Sequence, residues 1–269
     1  MKPLSSLEKV FPDETPVYRM ECQMLSGLWG ETVSFQVAYT GDFVMRERLD
    51  VRVVSELAEH VHVRTVEMVP VGRATNGIVD DNYLKTTSGL YPDLLKDLKD
   101  GKVIVYSRQW RSLWVDVDIT NEIPAGEYEI ELQLIKEGEV VCSAKQKVTV
   151  IGTELPKLDI MHTEWMHADC LADYYHVDVF SEEHWKILEN YFKEYVKRGC
   201  NMMLTPLFTS PLDTAIGLER TTCQLIDVEV KDGEYVFGFE KLKRWIDLCK
   251  KCGIEYFEMS HLFSQWGAK

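Results

Sequence analysis

The segment Leu158–Ala172 constrains the fold most, because a short apolar run changes there into a cluster of polar side chains. The run ends at Met161, and histidine, glutamate and aspartate side chains follow it closely. This pattern is typical of a buried strand that leads into a functional loop. Segments 201–208 and 255–263 repeat it, and each follows an amphipathic helix that ends at a glycine. Such alternation predicts a parallel βα repeat, whose carboxyl strand ends carry ligand groups.

The preceding part of the chain has a different periodicity. Residues 17–151 alternate apolar and polar side chains with the period of two that half-buried antiparallel strands have. Turn residues separate the runs, which predicts an immunoglobulin-like β-sandwich. The polar stretch 72–101 is too long for a hairpin turn, so we predict an ordered excursion there. Gly152 and Pro156 end the alternation, and we expect a sandwich domain over 1–152 and a second domain over 153–269.

The second domain holds two clear helix signals and one hairpin signal. The first helix should begin at Ser181 as its N-cap and end at Gly199, and the second should span Phe239–Cys252. A hairpin over Val228–Phe237 should turn at Asp232 and Gly233.

A complete (β/α)8 barrel needs eight units and typically about 250 residues, whereas residues 158–269 hold three predicted strands. The sequence therefore predicts an all-β sandwich followed by the first part, about three strands, of a parallel (β/α)8 TIM-type barrel. The open edge of such a barrel should be covered by a second copy or by another, completing chain.

Charge and cysteine content limit the classes of partner. The formal net charge of −14 disfavours nucleic acid and anionic membranes as partners. The N-terminus has no continuous apolar run, and no uninterrupted apolar run approaches eighteen residues, so neither export nor membrane spanning is indicated. The seven scattered cysteines favour reduced thiols and a cytoplasmic protein.

Metal and cofactor motifs are weak or absent from the sequence. Glu164 and His167 have a Glu-x-x-His spacing, but on a strand-to-loop segment that spacing does not bring both side chains to one face. Cys249 and Cys252 lie on or next to a buried helix stripe, where core packing is the favoured role. No phosphate-binding loop or nucleophile elbow occurs, and we expect neither a metal nor a cofactor.

Polar and aromatic side chains at the strand ends favour a carbohydrate cleft, because pyranose faces stack on rings while hydroxyls take polar partners. The substrate-binding candidates are Glu164, Trp165, His167, Asp169, Thr205, Phe208, Asp213, His261, Gln265 and Trp266. Trp266 is the first choice for a ring stacked on the sugar, although many of the aromatic side chains could instead fill the layer between barrel and helices. The carboxylates that could act as acid or base are Glu164, Asp169, Asp173, Asp213 and Glu258. Spacing selects no pair among them, so no catalytic residue is assigned.

The segment Thr163–Tyr175 resembles glycoside hydrolase family 123 and its poorly characterised relatives. The likeness continues through Gly30–Val37, Leu90–Leu95, Ala125–Tyr128, Asn201–Thr209, Pro211–Thr214 and Ser260–Ala268. The resemblance implies a β-N-acetylgalactosaminidase-like enzyme that hydrolyses β-linked N-acetylhexosamine glycans with retention. In that family the substrate's acetamido oxygen attacks the anomeric carbon, an Asp orients the acetamide, and an adjacent Glu protonates the leaving oxygen.

The family's Asp-Glu pair lies after a strand beyond the third. The sequence contains no Asp-Glu dipeptide after Leu158, and its one such dipeptide, Asp13-Glu14, precedes the sandwich. We therefore expect a chain cut within the barrel, with the catalytic pair beyond Lys269 and no activity by itself. Two alternatives stay open: a carbohydrate-binding fragment without turnover, and a non-enzymatic, protein-interaction module whose βα tail packs on a partner.

Overall fold

The computed structural model describes residues 1–16, 24–75, 77, 79, 83–157, 159–208 and 219–261. The chain divides into two compact units, Met1–Pro156 and Lys157–Lys269. The sequence-based division between residues 152 and 153 lies four residues before this one. The described residues are mostly β with few helices, which confirms that part of the predicted fold. The β-sandwich and the partial barrel stay predictions.

The first unit consists of two five-stranded sheets. Its strands are β1 (Lys2–Ser5), β2 (Met24–Trp29), β3 (Thr32–Tyr39), β4 (Glu47–Val54), β5 (Val61–Val71), β6 (Gly89–Asp97), β7 (Lys102–Val105), β8 (Arg111–Asp118), β9 (Gly126–Lys136) and β10 (Glu139–Glu154), with a short 3-10 turn at Ala58–His60. One sheet has the order β1-β3-β8-β5-β6, and the other has the order β2-β10-β9-β4-β7. Neighbouring strands are antiparallel except for β2 and β10, which are parallel.

Alternation of side chains builds the core of this unit. Phe35 and Val115 point inward from one sheet, and Leu132 and Val150 point inward from the other. All four belong to one buried apolar cluster, so the two sheets share a single core. Their neighbours along each strand point to the opposite face of the sheet, where the polar Gln36 and Asp116 are themselves buried and hydrogen-bonded.

The predicted excursion over 72–101 is wrong for its second half. Residues Gly89–Asp97 form β6, which pairs antiparallel with β5 and has a register shift at Glu67 and Met68. Pro92 obscures the strand pattern in the sequence, since proline cannot donate to a ladder. The structure accommodates Pro92 because β6 is the edge strand of its sheet.

The second unit contains the helices and two small sheets. Its elements are α1 (Ala168–Tyr175), α2 (Glu182–Lys197), β11 (Met202–Thr205), β12 (Asp227–Lys231), β13 (Glu234–Gly238), α3 (Glu240–Cys252) and β14 (Tyr256–Met259). Strands β11 and β14 form a parallel pair, and β12 and β13 form an antiparallel hairpin. Buried side chains of α2 and α3, chiefly Leu188, Phe192, Trp245 and Cys249, pack into one core with Met203 of β11.

Local signals predicted α2, α3 and the hairpin correctly. The Ser181 hydroxyl accepts a hydrogen bond from the His184 amide at 3.2 Å, which caps α2. Gly253, with a φ of 101°, ends α3 in the left-handed region. Asp232 and Gly233 have φ values of 53° and 87°, and two positive φ angles in sequence are what a tight hairpin turn needs. Phe239 departs from the prediction, because it is the exposed N-cap residue before α3 instead of the first residue of the helix.

The first predicted strand of the βα repeat is wrong for residues 159–167, which form no strand. The Asn201 side chain explains why, since its Nδ2 donates to the Ile160 carbonyl at 2.8 Å and its Oδ1 accepts from the His162 amide at 2.8 Å. The segment is thus tied to the start of β11 through one side chain as well as through backbone hydrogen bonds to His162. The loop expected after it is also wrong, because α1 begins at Ala168.

No helix in the described part of the chain is both long and apolar enough to cross a membrane.

Candidate functional site

The candidate site lies in the second unit, where the segment before α1 meets the α2 helix and the β11–β14 pair. Tyr195, in the last turn of α2, holds this segment. Its hydroxyl accepts a hydrogen bond from the Glu164 amide at 2.8 Å and lies 2.6 Å from the Met202 carbonyl oxygen, to which it can donate. Burial raises the pKa of Tyr195, so the hydroxyl stays protonated. One side chain thus links α2, the segment and β11.

Trp165 is an aromatic side chain of this segment that is both held by a hydrogen bond and exposed to solvent. Its indole Nε1 donates to Glu258 Oε2 at 3.1 Å, while 48% of the residue stays exposed. Glu258 lies on β14, opposite Leu204 of β11 in the parallel register. An indole that is fixed at its nitrogen and partly exposed is suited to stack on a sugar ring, and the carboxylate beside it is suited to accept from hydroxyls.

The carboxyl ends of β11 and β14 are joined directly. The Ser260 amide donates to the Thr205 carbonyl at 3.0 Å, and the Ser260 hydroxyl accepts from the Leu207 amide at 3.0 Å. Thr205 itself is fully buried, and its hydroxyl donates to the Met203 carbonyl at 3.2 Å. Phe208 and His261 follow the two strand ends and are half-buried.

Asp169 forms a buried ion pair with Arg220, a residue that the sequence analysis missed. Asp169 is 2% exposed. Its Oδ1 accepts a hydrogen bond from Arg220 Nη2 at 3.1 Å, and its Oδ2 accepts one from Arg220 Nε. Thr221 adds a hydrogen bond from its hydroxyl to Asp173 Oδ1 at 2.8 Å. Residues 220 and 221 are therefore fastened to α1 by two aspartates one turn apart.

His184 connects α1 to α2 in a neutral form. Its Nδ1 accepts from the Phe180 amide at 2.9 Å, and its Nε2 lies 3.0 Å from the Ala168 carbonyl oxygen, to which it donates in that tautomer. Burial lowers the pKa of His184, and acceptance of the Phe180 amide at Nδ1 requires the uncharged ring. The start of α1 is thus positioned by a histidine that carries no charge at neutral pH.

The remaining candidates are placed as follows. Glu164 is exposed, with Oε1 3.3 Å from His162 Nε2, and half-buried His167 occupies the N-cap position of α1. Asp213, Gln265 and Trp266 lie outside the described residues. Within the part of the chain that the structure describes, no group of three or more His, Cys, Asp or Glu side chains could hold a metal ion. Among the candidate residues, Trp165 and Glu258 are joined by a hydrogen bond across 93 residues of sequence.

Comparison with known proteins places the second unit near one family. Residues 165–269 match the family model for the catalytic domain of glycoside hydrolase 123. A solved family 123 glycoside hydrolase from Clostridium perfringens, studied for glycolipid glycan hydrolysis, is 16% identical, with a TM-score of 0.61 over 88% of this chain. This chain covers 42% of that chain.

A GH5 xyloglucanase from Bacteroides ovatus aligns with 89% of this chain and with 44% of the xyloglucanase chain, at 7% identity. Its TM-score of 0.22 is too low to indicate a shared fold. No curated protein matches the chain. The resemblance to glycoside hydrolase family 123 is confirmed.

Proposed function

We propose that this chain forms part of a glycoside hydrolase that acts on β-linked N-acetylhexosamine glycans by substrate-assisted, retaining hydrolysis. The observation that carries the proposal is the match of residues 165–269 to the catalytic domain of family 123. The proposal includes an immunoglobulin-like β-sandwich over residues 1–152 and the first part of a (β/α)8 barrel over residues 153–269. The fold likeness to the Clostridium perfringens enzyme supports this architecture.

The sugar would lie against the exposed face of Trp165, with the Glu258 carboxylate beside the ring. The hydrogen bond between them supports this placement, because it restrains the indole while 48% of the residue stays exposed. Glu164, held at its amide by Tyr195, has an exposed side chain that could reach a sugar hydroxyl. Phe208 and His261 would complete the pocket at the strand ends, together with Asp213, Gln265 and Trp266.

Substrate assistance needs one Asp to orient the acetamide and an adjacent Glu to protonate the leaving oxygen. Residues 158–269 contain no Asp-Glu dipeptide. We therefore assign no catalytic residue here and propose that the described site binds sugar without supplying the acid. The alternative is a non-catalytic carbohydrate-binding or protein-interaction module, which the exposed ring of Trp165 would also suit.

Replacing Trp165 by alanine is expected to weaken binding of a methyl β-N-acetylgalactosaminide by about tenfold, the loss that about 1.4 kcal/mol of stacking gives. Titration calorimetry on the purified chain measures the change. Tyr235→Ala is the matched control, because Tyr235 is an exposed ring on the β12–β13 hairpin of the same unit. Equal affinity of the Trp165 variant and the unmodified chain would count against the proposed sugar site.

An activity assay on the same purified chain distinguishes the proposed enzyme from the non-catalytic binding module. We expect no release of aryl alcohol from an aryl β-N-acetylgalactosaminide, since both general acid catalysis and substrate orientation supply orders of magnitude in rate. Turnover that disappears on mutating one residue of this chain would show that the acid is present here. Sugar binding without turnover, retained in a longer form of the protein, would favour the non-catalytic module.

We also propose that another chain, or a second copy, covers the β11–β14 sheet. Within the described residues this sheet has only two strands, so β14 has one edge without a partner strand, whereas the outer edge of β11 makes hydrogen bonds at Met202 to His162 and Tyr195. Ile160, Met161, Tyr256 and Met259 are exposed apolar side chains on or near it. Unpaired edges beside apolar surface favour association.

Light scattering on the purified chain should therefore report a species larger than a monomer. Met259→Glu should shift the mass toward the monomer, because it places a charge on the exposed part of β14. Val230→Glu is the control, since it adds the same charge at an exposed position on the separate hairpin. A monodisperse monomer that binds no apolar dye would contradict this prediction.

A further inference from the structure

The first unit contains a cavity of about 700 Å³ on the side where β6 and β7 form the edges of the two sheets. Side chains from β4 and β5 line its walls, and Tyr39 and Arg111 line it at the adjoining ends of β3 and β8. Its volume lies within the range of about 300–1,000 Å³ that small-molecule sites have. None of its lining residues belongs to the site of the second unit.

The cavity is basic although the chain as a whole is acidic. Six cationic side chains line it: Arg46, Arg48, Lys96, Lys99, Lys102 and Arg111. Only three carboxylates, Glu47, Glu67 and Asp97, share the lining. The net charge of the cavity lining is therefore positive, although the net charge of the whole chain is −14. A locally positive surface would concentrate anions.

Two of the three carboxylates have cationic partners outside the cavity, but only Glu47 has a partner of its own. Glu47 Oε1 pairs with Lys136 Nζ at 3.1 Å, and Asp97 Oδ1 pairs with Arg64 Nε at 3.4 Å. Neither Lys136 nor Arg64 lines the cavity. Arg64 also pairs with Asp116 Oδ2 at 2.5 Å, so the negative charge that remains for the lining cations comes from Glu67 and Asp97.

The cations divide into paired and unpaired groups. Arg48 pairs with Asp100 at 2.9 Å and Lys102 pairs with Asp50 at 3.2 Å. Arg46, Lys96, Lys99 and Arg111 have no ion pair with a carboxylate of the described residues. Several uncompensated cations around one concave surface are the arrangement that binds carboxylate or sulfate groups.

Aromatic surface accompanies this charge. The guanidinium of Arg111 lies 5.1 Å from the ring centre of Tyr106, which fixes the cation over the ring. Tyr39 is buried beneath, with its hydroxyl 3.5 Å from the Ile104 carbonyl oxygen. Of these two rings, the half-buried Tyr106 is the one that can offer a pyranose an apolar contact, and the cations beside it can pair with an acidic substituent.

We propose that this cavity binds a short acidic saccharide whose carboxylate or sulfate group pairs with Lys96, Lys99 and Arg111. The anionic part of the proposal rests on the charges and the cavity, whereas the saccharide part rests on the proposed function of the second unit. A short ligand fits better than a long polyanion, because the net negative charge of the remaining surface repels an extended chain of like charges.

The experiment is a calorimetric titration of the whole chain with three disaccharides of one size: a sulfated one, a uronate and an uncharged one. At least one charged disaccharide should bind, with an affinity that falls as salt rises, and the uncharged one should not. The sulfated and uronate titrations identify which acidic group is preferred. Failure of both charged disaccharides to bind at millimolar concentration, or equal binding of the uncharged one, would overturn the proposal.

Variants assign the binding to the cavity. Lys96→Gln combined with Lys99→Gln should weaken binding of the charged disaccharide by about tenfold or more, since two charge-assisted contacts are removed. Lys145→Gln combined with Lys147→Gln removes the same charge from β10, outside the cavity, and should change the affinity little. Equal losses in both double variants would indicate only a general charge effect and would overturn the assignment.

Two further outcomes separate this inference from the proposed function. Inorganic sulfate that binds as tightly as the sulfated disaccharide would overturn the saccharide part of the proposal. Charged disaccharides that bind in the cavity, together with no binding of N-acetylgalactosaminide to the second unit, would support the cavity and contradict the proposed substrate class.

Discussion

Replacement of Asp169 by asparagine is expected to lower the free energy of unfolding of the second unit by about 3–5 kcal/mol, because it removes one charge of a buried pair. The carboxylate is 2% exposed and the Arg220 side chain is 14% exposed, so water cannot replace the lost partner at little cost. The guanidinium would remain largely desolvated beside a neutral amide. The pair also fastens residue 220 to α1, so the loss includes a tertiary contact as well as a charge.

Native-state hydrogen exchange with mass spectrometry can measure this loss separately in each unit. Amides of α2 should lose protection in the variant, while amides of β9 in the first unit should keep it. Asp173→Asn is the control, because the exposed Asp173 only accepts hydrogen bonds from Thr221. Adding Arg220→Met to Asp169→Asn should restore part of the stability. A loss below about 1 kcal/mol would show that the pair contributes little.

The elements that the sequence predicted correctly each have a local cause. Ser181 caps α2 through its own hydroxyl, and Gly253 ends α3 at a φ that other residues rarely adopt. Helix α1 lacks such a signal, since the His167 side chain makes no capping hydrogen bond and the helix has eight residues. The strand expected before it depended on a partner that the sequence does not show, because the Asn201 side chain holds that segment from 41 residues away.

The same distinction separates the predicted from the unpredicted parts of the candidate site. Strand-end reasoning selected Trp165, and Glu258 stood among the possible carboxylates. Their pairing spans 93 residues, however, and no local pattern records it. Arg220 was missed because its partner Asp169 is 51 residues distant and because a single arginine in an irregular segment resembles a solvated surface residue. Ala168 directly before Asp169 and Ala172 three residues after it place the carboxylate on the apolar side of a short helix, and this is the one signal that could have raised the question of its partner.

A substitution in the core between α2 and α3 should cause the second large loss of stability. Phe192→Ala is expected to lower the free energy of unfolding of the second unit by about 3–5 kcal/mol, since it removes a fully buried ring and leaves a cavity. The Phe192 ring packs edge-on against Trp245, with 5.1 Å between ring centres and 76° between ring planes. Trp245 is itself fully buried, so neither ring can reach water to compensate.

This substitution should also affect the candidate site, because α2 carries both Phe192 and Tyr195. The Tyr195 hydroxyl holds the Glu164 amide, and Trp165 follows directly. Amide exchange at residues 164–166 should therefore rise in Phe192→Ala, in step with the loss of stability in α2. Tyr191→Ala changes the exposed neighbouring ring and should cost less than about 1 kcal/mol with no change at residues 164–166. If Phe192→Ala destabilises α2 but leaves residues 164–166 fully protected, the segment that bears Trp165 is positioned independently of the helical core.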